Sequence, residues 1–207
     1  MVENRTLARS YAFLAPFYDW FVGPAAHASR RRSIAGLSLE GGEKVLLSGI
    51  GTGLDVPLLP ADVLLIGVDL TPAMLAVARR RALSERRRVC LVVGDAQRLP
   101  LRDGTFDAGV LHLILAIVPD ARPALSEAAR CLKKGARLAV FDKFVPPGET
   151  PSILRRLADL ATRRLATGFL TRFEDALAAA PGLVVEEDAH DLGGGFFRRI
   201  RLRKKGT

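Results

Sequence analysis

The 207-residue sequence contains only two cysteines. Cys90 and Cys131 stand far apart in separate apolar runs, so the thiols cannot build a disulfide framework or a four-cysteine zinc site. No apolar run approaches the roughly 18 to 20 uncharged residues of a membrane-spanning helix, and the first residues lack a signal-peptide pattern. We therefore expect a cytoplasmic protein that is not integral to a membrane.

Acidic residues are too few to balance the basic ones. The sequence has 31 Lys and Arg against 22 Asp and Glu, which gives a net charge of +9. Such a charge attracts phosphates, acidic lipids or nucleic acid, but it says little about the fold. The length and the 49% of apolar residues are typical of a single compact domain.

Short apolar runs alternate with helical segments from Lys44 onward. The runs do not alternate polar and apolar residues, which predicts strands covered on both faces, as in a parallel sheet. Thr71 and Pro72 predict the start of a crossover helix over 71–81, and a second is predicted over 121–132. We expect strands at 45–48, 63–68, 89–93, 108–113 and 137–141, followed by a closing antiparallel hairpin from 183–187 and 196–202.

This order predicts an α/β, Rossmann-like, doubly wound and mostly parallel sheet of seven strands. Residues 1–43, which are rich in aromatic side chains, are expected to form an N-terminal helical lid, with the α/β domain over 44–207. The segment 152–166 has one aliphatic face and several arginines, which is typical of a helix that contacts an anionic membrane surface. The alternative is that its apolar face covers the sheet.

A glycine-rich turn at 49–53 follows the first strand, and Asp69 ends the second. The glycines allow main chain to approach a ligand closely, and a carboxylate at the next strand end accepts hydrogen bonds from two ribose hydroxyls. Leu54 replaces the small residue of a dinucleotide fingerprint, and Asp55 would repel a pyrophosphate. The pattern favours a cationic or neutral nucleoside over NAD, although glycines also serve tight turns that bind nothing.

Asp95 and Ala96 follow the third strand, where a carboxylate can accept from an adenine amino group. The runs VLLSGIGTG, GVDLTPAML, GDAQRLP, FDAGVLH and LKKGARLAVFD resemble successive motifs of class I S-adenosylmethionine-dependent methyltransferases, over about 44–142. The N-terminal YAFLAPFYD is similar to the opening of two subfamilies, the ubiquinone/menaquinone C-methyltransferases and the bacterial phosphatidylethanolamine N-methyltransferases.

The resemblance implies S-adenosylmethionine as cofactor, S-adenosylhomocysteine as product, and no metal. It implies that the turn lines the methionine and ribose, that Asp69 holds the ribose, and that Asp95 with Ala96 holds adenine. The implied cofactor-binding residues are Gly49, Gly51, Gly53, Asp69, Leu70, Met74, Asp95 and Ala96, with Tyr18 in a Tyr-Asp pair that closes over the cofactor.

Leu47 departs from the family pattern, which usually has Asp or Glu at this position to help hold the methionine end. We expect Thr52, Asp55 or the hydroxyls of Tyr11 and Tyr18 to take over this role. The alternative is a non-catalytic member of the fold with a weakened cofactor site.

Methyl transfer from a sulfonium mainly requires alignment with the acceptor and exclusion of water. His112, at the end of the fourth strand, is the best-placed candidate base, although a lone histidine in an apolar run is often structural. Tyr18 and Asp19 match the Tyr-Asp pair of the family and complete the set of catalytic candidates.

The expected acceptor is an apolar or lipid-like small molecule, with a phospholipid amine or a quinone precursor favoured. The alternatives are a basic RNA-modifying or nucleic-acid-binding protein and a nucleotide-dependent oxidoreductase. Nucleic acid is less favoured because no amino-methylating N/D-P-P-Y motif follows the fourth strand.

Overall fold

The computed structural model describes residues 26–146, 170–191 and 196–206. Within them lie seven strands: β1 at Lys44–Ser48, β2 at Leu64–Asp69, β3 at Val89–Val93, β4 at Phe106–His112, β5 at Leu132–Lys143, β6 at Leu183–His190 and β7 at Phe197–Lys204. They form one sheet in the order β3-β2-β1-β4-β5-β7-β6. Strands β1 to β5 are parallel to one another, whereas β7 lies antiparallel between β5 and β6. The predicted fold class is therefore confirmed.

Four helices are described: α1 at residues 26–35, α2 at Pro72–Ser84, α3 at Ala121–Cys131 and α4 at Phe173–Ala178. The two predicted crossover helices correspond to α2, which has a proline in its first turn, and α3, whose Asp120 carboxylate accepts the Arg122 N–H. In the three described ranges, no helix is long and apolar enough to cross a membrane. Residues 1–25 of the predicted lid and the segment 152–166 lie outside the described residues.

The chain after β1 does not form a long helix. It forms a single 3-10 turn, Val56–Leu58, because Pro57 and Pro60 each remove a backbone donor that a continuing helix would need. This turn and α4 were not predicted from the sequence. Strand β5 also begins earlier than predicted, with a register shift between Phe106 and Ala108 on β4.

Apolar side chains are buried on both faces of the sheet. On one face, which we call the α1 face, Ile34 and Leu37 pack with Val45, Leu47 and Val110. The other face holds the larger cluster, in which α3 and α4 pack against the sheet through Leu46, Leu111, Leu125, Phe106 and Phe173. Burial on both sides explains why the strand runs lack alternation. It also places the buried side of α1 against the sheet next to β4.

Candidate active site

The loops that follow the parallel strands meet at one edge of the sheet. The strand order reverses at β1: the chain passes from β1 to β2 on one side, and β4 lies on the other side. The loops on the two sides of such a reversal leave a crevice between them, which is where sheets of this kind bind ligands. The predicted turn 49–53, Asp69, Asp95 and His112 all follow or end strands at this edge. The structure thus brings the four predicted elements to one place.

The glycine turn after β1 is built for close approach of a ligand. Gly49, Gly51 and Gly53 have φ of +74°, +54° and +80°, a region that favours glycine. A Cβ on Gly53 would lie 3.2 Å from Cα of Ala78, so this glycine permits packing of the turn on α2. Among the described residues, no atom lies within 4 Å of a Cβ built on Gly51, so they leave open space beside its main chain.

Asp69 fixes this turn from the end of β2. Its Oδ2 accepts the Gly51 N–H at 2.9 Å, and its Oδ1 accepts the Thr71 N–H at 2.9 Å. Burial raises the pKa of Asp69 above its ordinary value, while the Thr71 and Gly51 donors act to lower it. Because a carboxylate offers about four acceptor positions, Asp69 retains capacity for hydroxyl donors of a ligand.

Asp95 lies two residues beyond Val93, which pairs with Asp69 across β2 and β3. Its Oδ1 accepts the Gln97 N–H at 2.9 Å, and Gln97 Oε1 in turn accepts the Asp120 N–H at 3.1 Å. Three further predicted residues lie in this part of the fold: Leu70 directly follows β2, Met74 is buried on α2, and the side chain of Ala96 packs in the core.

Thr52 is held in place by a residue that the sequence did not single out. The Nη1 of Arg81, on the last turn of α2, donates to the Thr52 carbonyl oxygen at 2.7 Å and to its Oγ1 at 3.1 Å. Arg81 belongs to a basic run that predicts only surface charge, and no local pattern distinguishes it from its neighbours. The contact ties the glycine turn to α2.

His112 lies in a buried network rather than facing solvent. Its Nδ1 is 2.9 Å from Asp55 Oδ1, and its Nε2 is 3.0 Å from Ser33 Oγ. Arg30 Nη1 donates to Asp55 Oδ2 at 2.8 Å. Burial alone would raise the pKa of Asp55, but the Arg30 guanidinium and the hydrogen bonds with His112 and Arg30 outweigh it and hold the pKa well below its usual range.

This network bears on the predicted catalytic residues. Both ring nitrogens of His112 are engaged by buried partners, whereas a general base needs a lone pair directed at the substrate. Proton abstraction by His112 would therefore require the network to open. The other two catalytic candidates, Tyr18 and Asp19, lie outside the described residues, as does Tyr11.

The loop after β4 is held by a carboxylate that the sequence analysis missed. Asp142, fully buried at the end of β5, accepts the Ala116 N–H at 3.0 Å and the Lys143 N–H at 2.8 Å. Burial raises the pKa of Asp142 to about 6. Leu113 in this loop has φ of +57°, a strained value for a bulky residue, and its N–H donates to the Phe141 carbonyl at 2.8 Å.

The charges at this edge contrast with those of the chain as a whole. Although the net charge is +9, two acidic residues, Asp69 and Asp95, end or follow strands at this edge. The three-residue 3-10 turn after β1 does not supply the long-helix N-terminus at which a dinucleotide pyrophosphate binds. Space above Gly51, the Asp69 carboxylate and this acidic edge fit an adenosine that carries a cationic sulfonium. Among the described residues, no three His, Cys, Asp or Glu side chains group closely enough to hold a metal ion.

Comparison with protein families and curated proteins supports the same chemistry. Residues 46–140 match the family described as "Methyltransferase domain". The chain is 30% identical to a phosphatidylethanolamine N-methyltransferase of Cereibacter sphaeroides, over 99% of this chain and 100% of the relative. It is 29% identical to a ubiquinone/menaquinone biosynthesis C-methyltransferase of Geobacter sp., over 84% of this chain and 76% of the relative.

Two solved structures show the same architecture. The [4+2]-cyclase SpnF superposes with a TM-score of 0.77 at 19% identity, covering 97% of this chain and 96% of the cyclase. A Thermotoga maritima protein described as an S-adenosylmethionine-dependent methyltransferase has a TM-score of 0.69 at 25% identity, covering 96% and 100% of the two chains. The similarity to the cyclase shows the fold alone.

Proposed function

Because this chain belongs to the family of S-adenosylmethionine-dependent methyltransferases, we propose that it transfers a methyl group to an apolar or lipid-like small molecule, with a phospholipid amine or a quinone precursor favoured. The observation that carries the proposal is the 30% identity to a phosphatidylethanolamine N-methyltransferase over the whole of both chains. The similarity to a quinone C-methyltransferase supports the second acceptor class. The strongly basic chain is compatible with an anionic lipid environment.

The cofactor site proposed here uses residues that the structure brings together. Asp69 would accept the ribose hydroxyls, Gly51 would leave room for the cofactor against the main chain, and Asp95 with the backbone of Ala96 would hold adenine. The bound cofactor supplies a methyl group that is already activated on a sulfonium. The remaining task of the chain is to hold the acceptor in line with that methyl group and to exclude water.

The acceptor chemistry sets modest demands on the protein. An amine attacks the methyl group only in its neutral form, through its lone pair. Hydrogen-bond acceptors near the site therefore help by taking the proton that the amine loses. The loop after β4, fixed by Asp142, lies at the sheet edge where an acceptor would approach. We assign to it the role of orienting the acceptor, because Phe141 and Asp142 of β5 hold its backbone in place.

Transfer of a labelled methyl group tests this proposal directly. The purified protein is incubated with methyl-labelled S-adenosylmethionine and, separately, with phosphatidylethanolamine vesicles, a demethylated menaquinone and total RNA. We expect label in the lipid or the quinone fraction and none with the Asp69→Ala variant. Label in the RNA fraction alone would contradict the acceptor class while preserving the methyltransferase assignment.

The proposal includes peripheral contact with the cytoplasmic face of an anionic membrane through 152–166, which lies outside the described residues. The support is its aliphatic face and the arginines 155, 156, 163 and 164. Changing these four to Gln should weaken binding to anionic vesicles more than tenfold, since each basic residue near a membrane contributes about 1 kcal/mol.

A matched control separates a specific contact from general charge. The variant with Arg79, Arg80, Arg86 and Arg88 changed to Gln removes the same charge from α2 and the residues after it. Vesicle affinity is measured by co-sedimentation, with S-adenosylhomocysteine affinity as the check on folding. Equal loss of vesicle binding in the two variants would show a diffuse charge effect and would overturn the assignment of 152–166.

A further inference from the structure

A chain of four buried polar side chains connects three separate parts of the candidate active site. Arg30 and Ser33 lie one turn apart on the buried side of α1, Asp55 follows the glycine turn by two residues, and His112 is the last residue of β4. The order of contacts is Arg30 to Asp55, Asp55 to His112 Nδ1, and His112 Nε2 to Ser33 Oγ. The helix, the cofactor turn and β4 are therefore linked by hydrogen bonds as well as by apolar packing.

The partners define the proton positions in this network. The Asp55 carboxylate is ionised, so it can only accept, and Nδ1 of His112 must carry a proton. In the neutral ring, Nε2 then accepts the hydroxyl proton of Ser33. A neutral ring with its proton on Nδ1 has different 15N shifts from a ring with its proton on Nε2, so the assigned tautomer can be measured.

The order Asp-His-Ser resembles that of a hydrolase triad, but the surroundings do not suit acyl transfer. Ser33 is 5% exposed in the last turn of α1, and the Arg30 guanidinium neutralises the Asp55 carboxylate. A nucleophilic serine needs access to a substrate carbonyl and an oxyanion site beside it. The same contacts do suit a device that fixes geometry, because each group is satisfied by a partner from a different element.

We propose that Arg30, Asp55, His112 and Ser33 form a positioning network that couples occupancy of the cofactor turn to the docking of α1. In this role His112 orients Asp55 and the end of β4 and takes no proton from the substrate. Cofactor binding rigidifies the turn at 49–53, and the contacts of Asp55 with Arg30 and His112 pass that order to α1. The inference rests on the methyltransferase assignment but not on the identity of the acceptor.

Two substitutions at His112 distinguish positioning from base catalysis. His112→Asn keeps an amide donor for Asp55, whereas His112→Ala removes it. We expect Ala to weaken S-adenosylhomocysteine affinity about tenfold and Asn to restore it to within about threefold of wild type. A tenfold change lies within the range of about 5- to 150-fold that is typical of coupling between two sites. The readouts are calorimetric affinity and the 15N shifts of His112, which report the Nδ1-protonated tautomer.

Three outcomes would overturn the proposal. If Asn and Ala both lowered turnover by about 100-fold or more with wild-type cofactor affinity, and the residual rate lost the acidic limb of its pH profile, His112 would be a base. If Ala left affinity unchanged, the network would have no part in binding. If 15N shifts showed the proton on Nε2 alone, the assigned hydrogen bonds would be wrong.

Hydrogen exchange of α1 tests the coupling itself. Adding S-adenosylhomocysteine to the wild type should slow exchange of amides in 26–35, and Asp55→Asn should abolish this response. Ser33→Ala, which removes only the terminal hydroxyl, serves as the milder variant where Asp55→Asn unfolds, and it should reduce the response.

The control is Glu43→Gln, which breaks the ion pair with Arg137 at the opposite end of β1 and should leave both affinity and the α1 response unchanged. A full α1 response in Asp55→Asn and Ser33→Ala would overturn the proposed coupling.

Discussion

Replacement of Asp69 by asparagine isolates the charge of the residue from its shape. The carboxylate accepts one N–H on each oxygen, from Gly51 and from Thr71. Asparagine keeps one acceptor oxygen, but its amide NH₂ then faces one of these donors. The variant therefore loses the charge that strengthens hydrogen bonds to ribose hydroxyls and introduces a donor–donor contact under the cofactor turn.

The expected cost follows from the energy of charge-assisted hydrogen bonds. A bond to an ionised group contributes about 1.5–3 kcal/mol, and two ribose hydroxyls are affected. Allowing for partial retention by the asparagine oxygen, we expect a loss of about 3 kcal/mol in binding, which corresponds to about a 100-fold increase in Kd. Asp69→Ala should lower affinity further, since both acceptors disappear.

Calorimetric titration with S-adenosylhomocysteine measures this loss, and circular dichroism confirms that each variant is folded. Asp107→Asn is the matched control, because its carboxylate also accepts a backbone N–H, from Lys44, and pairs with Lys133 at the opposite end of the sheet. The control should bind as wild type does. Wild-type affinity in Asp69→Ala would refute the assignment of the ribose site.

Three further substitutions probe the turn and the acceptor loop. Gly51→Val places a side chain in the open space above the turn, so calorimetry should show no S-adenosylhomocysteine binding by a protein that is still folded, although less stable because valine is strained at a φ of +54°. Gly53→Ala should instead lower the free energy of unfolding by about 1–3 kcal/mol in urea titrations, because its φ is positive and its Cβ would crowd Ala78. Burial raises the pKa of Asp142 from 3.8 to about 6, so the folded state binds this proton more tightly than the unfolded state does. The proton therefore adds to the free energy of unfolding at low pH, and this stabilisation is lost as pH rises from about 4 to about 6. The stability of wild type relative to Asp142→Asn should therefore fall by up to about 3 kcal/mol over that window, and a constant difference would contradict the pKa.

The sheet and the strand-end residues were predictable because their signals are local. Unbroken apolar runs predict the buried parallel strands, and the glycine turn with Asp69 predicts one edge of the sheet. Thr71 and Pro72 similarly marked the start of α2. Each of these signals is formed by residues that are close together in the chain, so it can be recognised in a single sequence.

The network around His112 was not predictable in the same way. Its members come from α1, the turn after β1 and the end of β4, and the residues Ser33 and His112 are 79 positions apart. No periodicity links such residues, and only the order of strands in the sheet brings them together. Asp142 was missed for a related reason: its role depends on the backbone of the loop after β4, which has no turn signature of its own.

The most direct test of the central claim is calorimetric titration of the wild-type protein with S-adenosylmethionine and S-adenosylhomocysteine, using NAD as the control ligand. The account predicts stoichiometric binding of the first two, with Kd on the order of 1–100 µM, and no binding of NAD. Binding of NAD, or no binding of either S-adenosyl compound by folded protein, would contradict it.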